Sequence, residues 1–345
     1  MPLSYSKGII RFNQTTTPTG MINGDLWYNS VSKIVSKYNG TGWRPVTTKL
    51  QFYPPNNNYG YNMGGYGSVY FSTVDRITFP FDSGTASAVG NMSVAKYEVT
   101  GCNSSNYGYC MGGNTGSRVS SIERITFPFD SGNSTLVGNL AVTRSTSSGC
   151  NNSIYGYIMG GSSSTYISSI DRFLFPFDSG VSINVGRLNG SKQYVSGFNS
   201  SIHGYSAGGV TPTNLSYIDR ILFPFDSGTA TWCGNLSTSL NQSGSCNSSI
   251  HGYNIVNSYI DRITFPFDSG NSTNVGNSTT SSIGYAACNS SIYGYIMGGG
   301  GTYVSNIERF TFPFDSGTST IVGTLSSPKY SSAGIDGTDF TNLFV

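Results

Sequence analysis

The string Phe-Pro-Phe-Asp-Ser-Gly occurs six times in this chain, beginning at Phe79, Phe127, Phe175, Phe223, Phe265 and Phe312. Each copy follows an acid–arginine pair: Asp75-Arg76, Glu123-Arg124, Asp171-Arg172, Asp219-Arg220, Asp261-Arg262 and Glu308-Arg309. Successive arginines are 48, 48, 48, 42 and 47 residues apart. Upstream of each lies a second block, as in YGYNMGG at Tyr59, YGYCMGG at Tyr107, YGYIMGG at Tyr155, HGYSAGG at His203 and YGYIMGGG at Tyr293. The fifth copy, HGYNIVNSYIDR at His251, lacks the Gly-Gly and is six residues shorter, which accounts for the spacing of 42. Self-similarity at this period means one structural unit repeated, and it has to be read before anything else.

Each repeat reads as four strands. Strand a ends in an SGCNSS-like segment, strand b is GYIMG stopped by Gly-Gly, and strand c is SSIDRITFPF with alternating apolar residues. The turn Asp-Ser-Gly then leads into strand d, as in TLVGNL. Short strands with turn signals at this spacing argue for an all-β fold. Composition agrees. Gly (45 residues), Ser, Thr, Asn and Tyr stand where a helical protein would carry Glu, Lys, Leu and Ala, and only 10% of the chain is charged. The 24 Tyr and 20 Phe supply a core, which argues against disorder. Four strands in about 47 residues is the size of a propeller blade, and stacking blades around an axis covers the faces that one twisted sheet leaves bare.

The repeat resembles the kelch family of propellers. That resemblance rests on Gly64-Gly65, Gly112-Gly113, Gly160-Gly161, Gly208-Gly209 and Gly298-Gly299 at the end of strand b, and on the acidic turn after strand c. It covers residues 49–325. The family's aromatic residue in strand d is mostly missing: Val89, Val137, Val185 and Val322 stand there, with Trp232 near it once. The repeat is therefore kelch-like.

Two ends remain outside the six repeats. Residues 326–345 read as a C-terminal closing segment, with KYSSAGIDG as a further strand a. Residues 24–46 can be laid on strands b, c and d, with Ile34 on Ile77, Tyr38 on Phe81 and Trp43 near Val89. Pairing the two ends would remove an open sheet edge. The expectation is thus seven four-stranded blades, one of them composite, with residues 1–48 a docking segment that contributes strands to it. The alternative is six blades with residues 1–48 as a separate module.

The N-terminal GDLWYN and YNGTGW segments resemble stretches of tail-fibre and baseplate-associated proteins of tailed bacteriophages. The FPFDSG repeats resemble those in virion proteins of phages that infect marine or cyanobacterial hosts. The resemblance implies a non-enzymatic virion structural protein at the tail or capsid surface. It would be assembled in the host cytoplasm and exposed on the particle. Its partners would be other virion proteins and a host-surface glycan or protein. A carbohydrate-active, sialidase-like propeller enzyme and a kelch-type adaptor are the alternatives.

A net charge of +2 gives no global field for nucleic acid, and no apolar run approaches the length of a membrane span. The first residues lack the charged and apolar regions of a secretory leader. The first 50 residues carry Lys7, Arg11, Lys33, Lys37, Arg44 and Lys49 against Asp25, enough to dock on an acidic partner or to be ordinary solvated charges. No cofactor or metal is expected, because there is no CxxC and the two His stand at equivalent repeat positions. Cys102, Cys150, Cys246 and Cys288 share one position and read as buried thiols.

Residues that recur with the blade belong to the blade. Arg76, Arg124, Arg172, Arg220, Arg262 and Arg309, with Asp82, Asp130, Asp178, Asp226, Asp268 and Asp315, are therefore read as structural, capping turns or pairing with one another. After removing repeated acids only Asp25, Glu98, Asp336 and Asp339 remain, which starves an enzymatic reading. Comparison of the repeats shows where recognition should lie. The a–b and c–d turns share one end of a propeller and are nearly invariant here, whereas the b–c loops and d–a segments of the other end vary. Candidate binding residues on that end are Tyr66, Tyr70, Arg118, Tyr166, Asn214, Tyr217 and Tyr303.

Overall fold

The computed structural model of the chain describes residues 11–14, 26–29, 34–38, 40–45 and 58–337. They fall into two compact units, 1–54 and 55–345. In the first, strands Arg11–Gln14, Leu26–Asn29, Ile34–Tyr38 and Trp43–Pro45 form one sheet in that order. The first pair is parallel and the rest antiparallel.

The second unit is a six-bladed β-propeller. Blade 2 shows the repeat in full. Strand a is Thr100–Asn103, b is Tyr107–Met111, c is Ser121–Thr126 and d is Thr135–Asn139, an antiparallel meander. Burial follows distance from the axis. Strand b is covered on both faces by neighbouring blades, and four of its five residues are buried; strand d keeps most of its residues at least partly exposed. This explains why GYIMG is apolar throughout whereas strand d alternates weakly. In blade 5 the six-residue deletion fuses b and c into one run, His251–Thr264, which doubles back at Asn257. The Phe265 N–H still donates to the Ile250 carbonyl at 2.9 Å, so the antiparallel frame survives.

Closure differs from the expected seven blades. The C-terminal strand Ala333–Asp336 pairs with Tyr59–Met63, strand b of the first repeat. In the first repeat the place of strand a is taken by the last of the described strands. One composite blade therefore exists, as expected, but its other three strands are Tyr59–Met63, Thr73–Thr78 and Ser87–Asn91. Residues 26–29, 34–38 and 43–45 are three strands, as the pattern suggested, in a sheet separate from any blade. The axis is also tightly filled. A Cβ on Gly149 would lie 2.2 Å from the Gly101 carbonyl oxygen of the neighbouring strand a, and one on Gly334 would lie 2.0 Å from that of Ala287. The inner strands touch backbone to backbone.

The blades are joined by one set of bonds repeated six times. Each strand-c arginine reaches into the next blade. Arg76 binds Asp130 and donates to the Phe129 carbonyl at 3.3 Å; Arg124 does the same to Asp178 and Phe177, and Arg172 to Asp226 and Phe225. Arg220 reaches Asp268, Arg262 reaches Asp315 and Arg309 reaches Asp82, closing the circle. The second tyrosine of each YGY crosses the same seam. The Tyr61 hydroxyl accepts from the Phe129 N–H at 2.9 Å while its ring stacks on Phe127 at 5.4 Å. Each of these arginines is thus paired with an aspartate that lies one blade away. The tyrosine satisfies a buried backbone donor and adds aromatic packing in one residue.

Candidate functional site

The strands alternate in direction, so the a–b and c–d turns lie at one end and the b–c loops and d–a segments at the other. Both chain ends of the ring, Asn58 and Gly337, adjoin the a–b-turn end, because strand b of blade 1 starts there and its strand a finishes there. The variable end holds the mouth of a central funnel of about 130 Å³ lined by the strand-a segments.

Six residues form the rim of this mouth: Glu98, Thr146, Tyr194, Gln242, Gly284 and Ser331. All are at positive φ, between 52° and 66°. Their backbones form a nearly continuous circle. The Glu98 N–H donates to Ser331, Thr146 to Glu98, Gln242 to Tyr194, Gly284 to Gln242 and Ser331 to Gly284; the Thr146 carbonyl receives the Val195 N–H. Five non-glycine residues in the left-handed region are costly, and the hydrogen bonds of the circle hold them there. Glu98 is the sole carboxylate on the rim. Its Oε2 accepts from Ser145 Oγ at 2.9 Å and its Oε1 from the Tyr194 hydroxyl at 3.4 Å.

Beside the rim, blades 6, 1 and 2 bring five tyrosines together. Tyr66 is central, with ring centroids 5.6 Å from Tyr70, 5.5 Å from Tyr97, 5.7 Å from Tyr303 and 5.9 Å from Tyr330. Tyr70 stacks on Tyr97 at 5.2 Å and Tyr303 on Tyr330 at 5.6 Å. Burial and the nearby Glu98 raise Tyr97 from 10.0 to about 12, so its hydroxyl stays neutral. Three expected residues, Tyr66, Tyr70 and Tyr303, therefore share one site. Arg118 and Tyr166 are exposed on the b–c loops of blades 2 and 3, outside this ring cluster. Asn214 accepts from the Asn241 amide on blade 4. Tyr217 packs edge-on against Trp232 at 5.9 Å, on the outer strands of the same blade. The reading of b–c loops alone missed Tyr97, Tyr330, Glu98 and Tyr194. All four stand in the d–a segments VAKYEVT, KYSS and KQYVS, whose variation was already visible.

The acids preceding the arginines have a separate role. Asp75 pairs with Lys329 at 2.9 Å, Glu123 with Lys96 at 2.9 Å, Asp171 with Arg144 at 3.0 Å and Asp219 with Lys192 at 3.2 Å, all with side chains at most 2% exposed. Among the described residues, Asp261 and Glu308 have no such cation. Asp261 accepts from Ser237 and Ser272, and Glu308 from Thr279, Thr280 and Ser319. Burial lowers Lys192, Lys329 and Arg144 and raises Asp219, each opposed by its partner. The sequence signal was present: Lys96, Arg144 and Lys192 are spaced 48 apart, the period of the repeat. The first tyrosine of YGY lies under its own arginine, as with Tyr59 at 4.4 Å from the Arg76 guanidinium. His203 and His251 replace it, pack edge-on against Tyr205 and Tyr253, and are pushed down by burial. All six cysteines are buried and free; the repeat position implied this for Cys102, Cys150, Cys246 and Cys288.

No family model matches this chain, and neither does any curated protein. Solved structures do. One, titled "Structure of YjhT", superposes with a TM-score of 0.57 at 10% identity, over 70% of this chain and 88% of its own. At that identity the likeness is one of fold. With 418 solved chains matching, the propeller by itself points to no particular activity.

Proposed function

We propose that this chain is a non-enzymatic structural protein of a tailed-phage particle, exposed on the tail or capsid surface and used for assembly and attachment to the host. The observation that carries this reading is the division of labour between the two ends of the ring. The a–b-turn end repeats itself and adjoins Asn58 and Gly337, where the chain enters and leaves the ring, whereas the opposite end presents the tyrosine cluster. A tether at one end and an unrepeated, aromatic surface at the other suit a protein that is anchored on a particle and meets something outside it. The likeness of GDLWYN, YNGTGW and the FPFDSG repeats to phage virion proteins supports the setting.

The acids support the absence of turnover. Among the described residues, Glu98 and Asp336 are the acids outside the repeated positions. Glu98 sits at the mouth and Asp336 at the far end of a strand a, where its carboxylate accepts from the Asn289 N–H at 2.7 Å. Most glycoside hydrolases need two carboxyls flanking one bond, about 5–9.5 Å apart, whereas sialidases use a tyrosine nucleophile. The six arginines are spent on inter-blade turns rather than gathered in one pocket.

Mass spectrometry of purified particles should find the chain, and purified protein should compete with particles for adsorption to the host. Absence from particles, or hydrolysis of a polysaccharide or sialoside that is lost on replacing Glu98, would refute the proposal.

A further inference from the structure

We propose that the basin built by Tyr66, Tyr70, Tyr97, Tyr303 and Tyr330 is a carbohydrate-binding site that takes an uncharged pyranose ring; this names the ligand class of the surface on which the attachment reading rests. The basin has two stacked pairs, Tyr70 on Tyr97 and Tyr303 on Tyr330, with Tyr66 edge-on to the second pair at 87° and 86°. The outer members, Tyr70 and Tyr303, are 37% and 44% exposed. Each stacked pair thus offers a ring toward solvent beside a common centre.

These rings are not a purely apolar surface. Among the described residues, the hydroxyls of Tyr66, Tyr70, Tyr303 and Tyr330 have no hydrogen-bond partner, while Tyr97 receives a long one, 3.4 Å, from the Asn114 amide. An aliphatic partner laid on the basin would leave those hydroxyls unpaired, which is costly. A sugar ring satisfies both demands, because its C–H face covers an aromatic ring and its hydroxyls meet the phenols at the edge.

Charge selects among sugars. Glu98 is the one carboxylate on the rim, and a carboxylate accepts sugar hydroxyls but repels sugar carboxylates. The cations of the adjoining d–a segments, Lys96 and Lys329, are buried and engaged by Glu123 and Asp75, and the exposed Arg118 lies on the b–c loop of blade 2, outside the ring cluster. The two lysines have no free charge to offer an anionic sugar.

The test is titration of the full chain with methyl glycosides of glucose, galactose, mannose and N-acetylglucosamine, and with sialyllactose, followed by saturation-transfer NMR. At least one uncharged glycoside should bind. Tyr70→Ala and Tyr303→Ala should each weaken it about tenfold, Tyr303→Phe by less, and Tyr166→Ala not at all. Both basin side chains are exposed, so melting temperatures should hold; should an alanine variant melt early, Tyr303→Phe still reads the hydroxyl. The idea is overturned if no uncharged glycoside binds, if binding survives both alanine changes, or if sialyllactose binds more tightly. Sugar binding without any effect of the same variants on host adsorption would sink the attachment reading and leave this one standing. Lost adsorption with no sugar binding would do the reverse.

Discussion

The Arg309 guanidinium binds the carboxylate of Asp82, a residue 227 positions earlier, and donates to the Phe81 carbonyl at 3.2 Å. This is the bond that Arg76 makes to Asp130 and every other strand-c arginine makes to the following blade. The seam between the last repeat and the first is therefore chemically the same as the five internal seams. Besides the Tyr295 contact to Phe79 and Phe81 that every seam repeats, two things close it: this clamp, and the C-terminal strand that completes blade 1.

The two closures differ in strength. Removing residues 333–345 strips blade 1 of its inner strand and exposes the edge of Tyr59–Met63. Cooperative thermal unfolding of the ring should be lost. Arg309→Ala should cost only about 0.2–1 kcal/mol, because Asp82 is 65% exposed and the pair is screened by solvent. Calorimetry of both variants checks this; an unchanged melting temperature in the truncated chain would show that the terminal strand does not close the ring.

The buried pairs should behave differently from the clamps. Lys192→Ala leaves Asp219 buried without its cation and should cost about 3–5 kcal/mol. Replacing both partners, as Lys192→Met with Asp219→Leu, should recover most of that loss, since two desolvated charges are removed together. Urea denaturation of the single and double variants measures the difference. A double variant as unstable as the single one would mean that the pair is needed for more than mutual neutralisation.

Alkaline pH should unfold the ring cooperatively. Burial raises Tyr61, Tyr109, Tyr157, Tyr253 and Tyr295 from 10.0 to about 12, with the backbone hydrogen bond to the next blade opposing it. In the unfolded chain these phenols lose their protons first. The folded state then holds more protons than the unfolded one, so stability is full below pH 10 and falls as pH rises from 10 toward 12. Tyrosinate absorbance of these groups should appear together with loss of circular dichroism. Ionisation near pH 10 in an intact fold would contradict it.

The axis has no room for a side chain at its glycines. Gly149→Ala would set a methyl 2.2 Å from the Gly101 oxygen and force two inner strands apart. The expected cost is about 1–3 kcal/mol, the range for overpacking a rigid core. Gly180→Ala, at a c–d turn with open space but φ of +106°, tests backbone strain alone at a site remote from the axis. Equilibrium unfolding of the two variants separates crowding from strain. A neutral Gly149→Ala would mean that the inner strands can move.

Much of the candidate site was legible and part of it was not. Tyr66, Tyr70 and Tyr303 were visible because internal comparison marks which loops vary. Tyr97 and Tyr330 were hidden in segments just as variable, where each follows the buried lysine of its own repeat. What joins all five is the neighbourhood of blades 6, 1 and 2, and those blades meet only once the ring is closed. Tyr217 had the same appearance in the sequence as Tyr66, yet it lies on the outer strands of blade 4 beside Trp232.

The blade was written in the sequence by itself. Period, strand pattern, turn chemistry and the recurrence of arginine and aspartate are local properties, repeated six times, and repetition turns a weak pattern into a strong one. The number of blades and the partners of each charge were decided by tertiary structure. A strand a at the C-terminus could in principle complete either a seventh blade begun by residues 24–46 or the first full repeat. The choice rests on which edge it pairs with, and on inner strands that meet backbone to backbone at Gly101, Gly149 and Gly334. Those are contacts between residues up to 276 positions apart, as between Gly60 and Asp336, and no local pattern carries them.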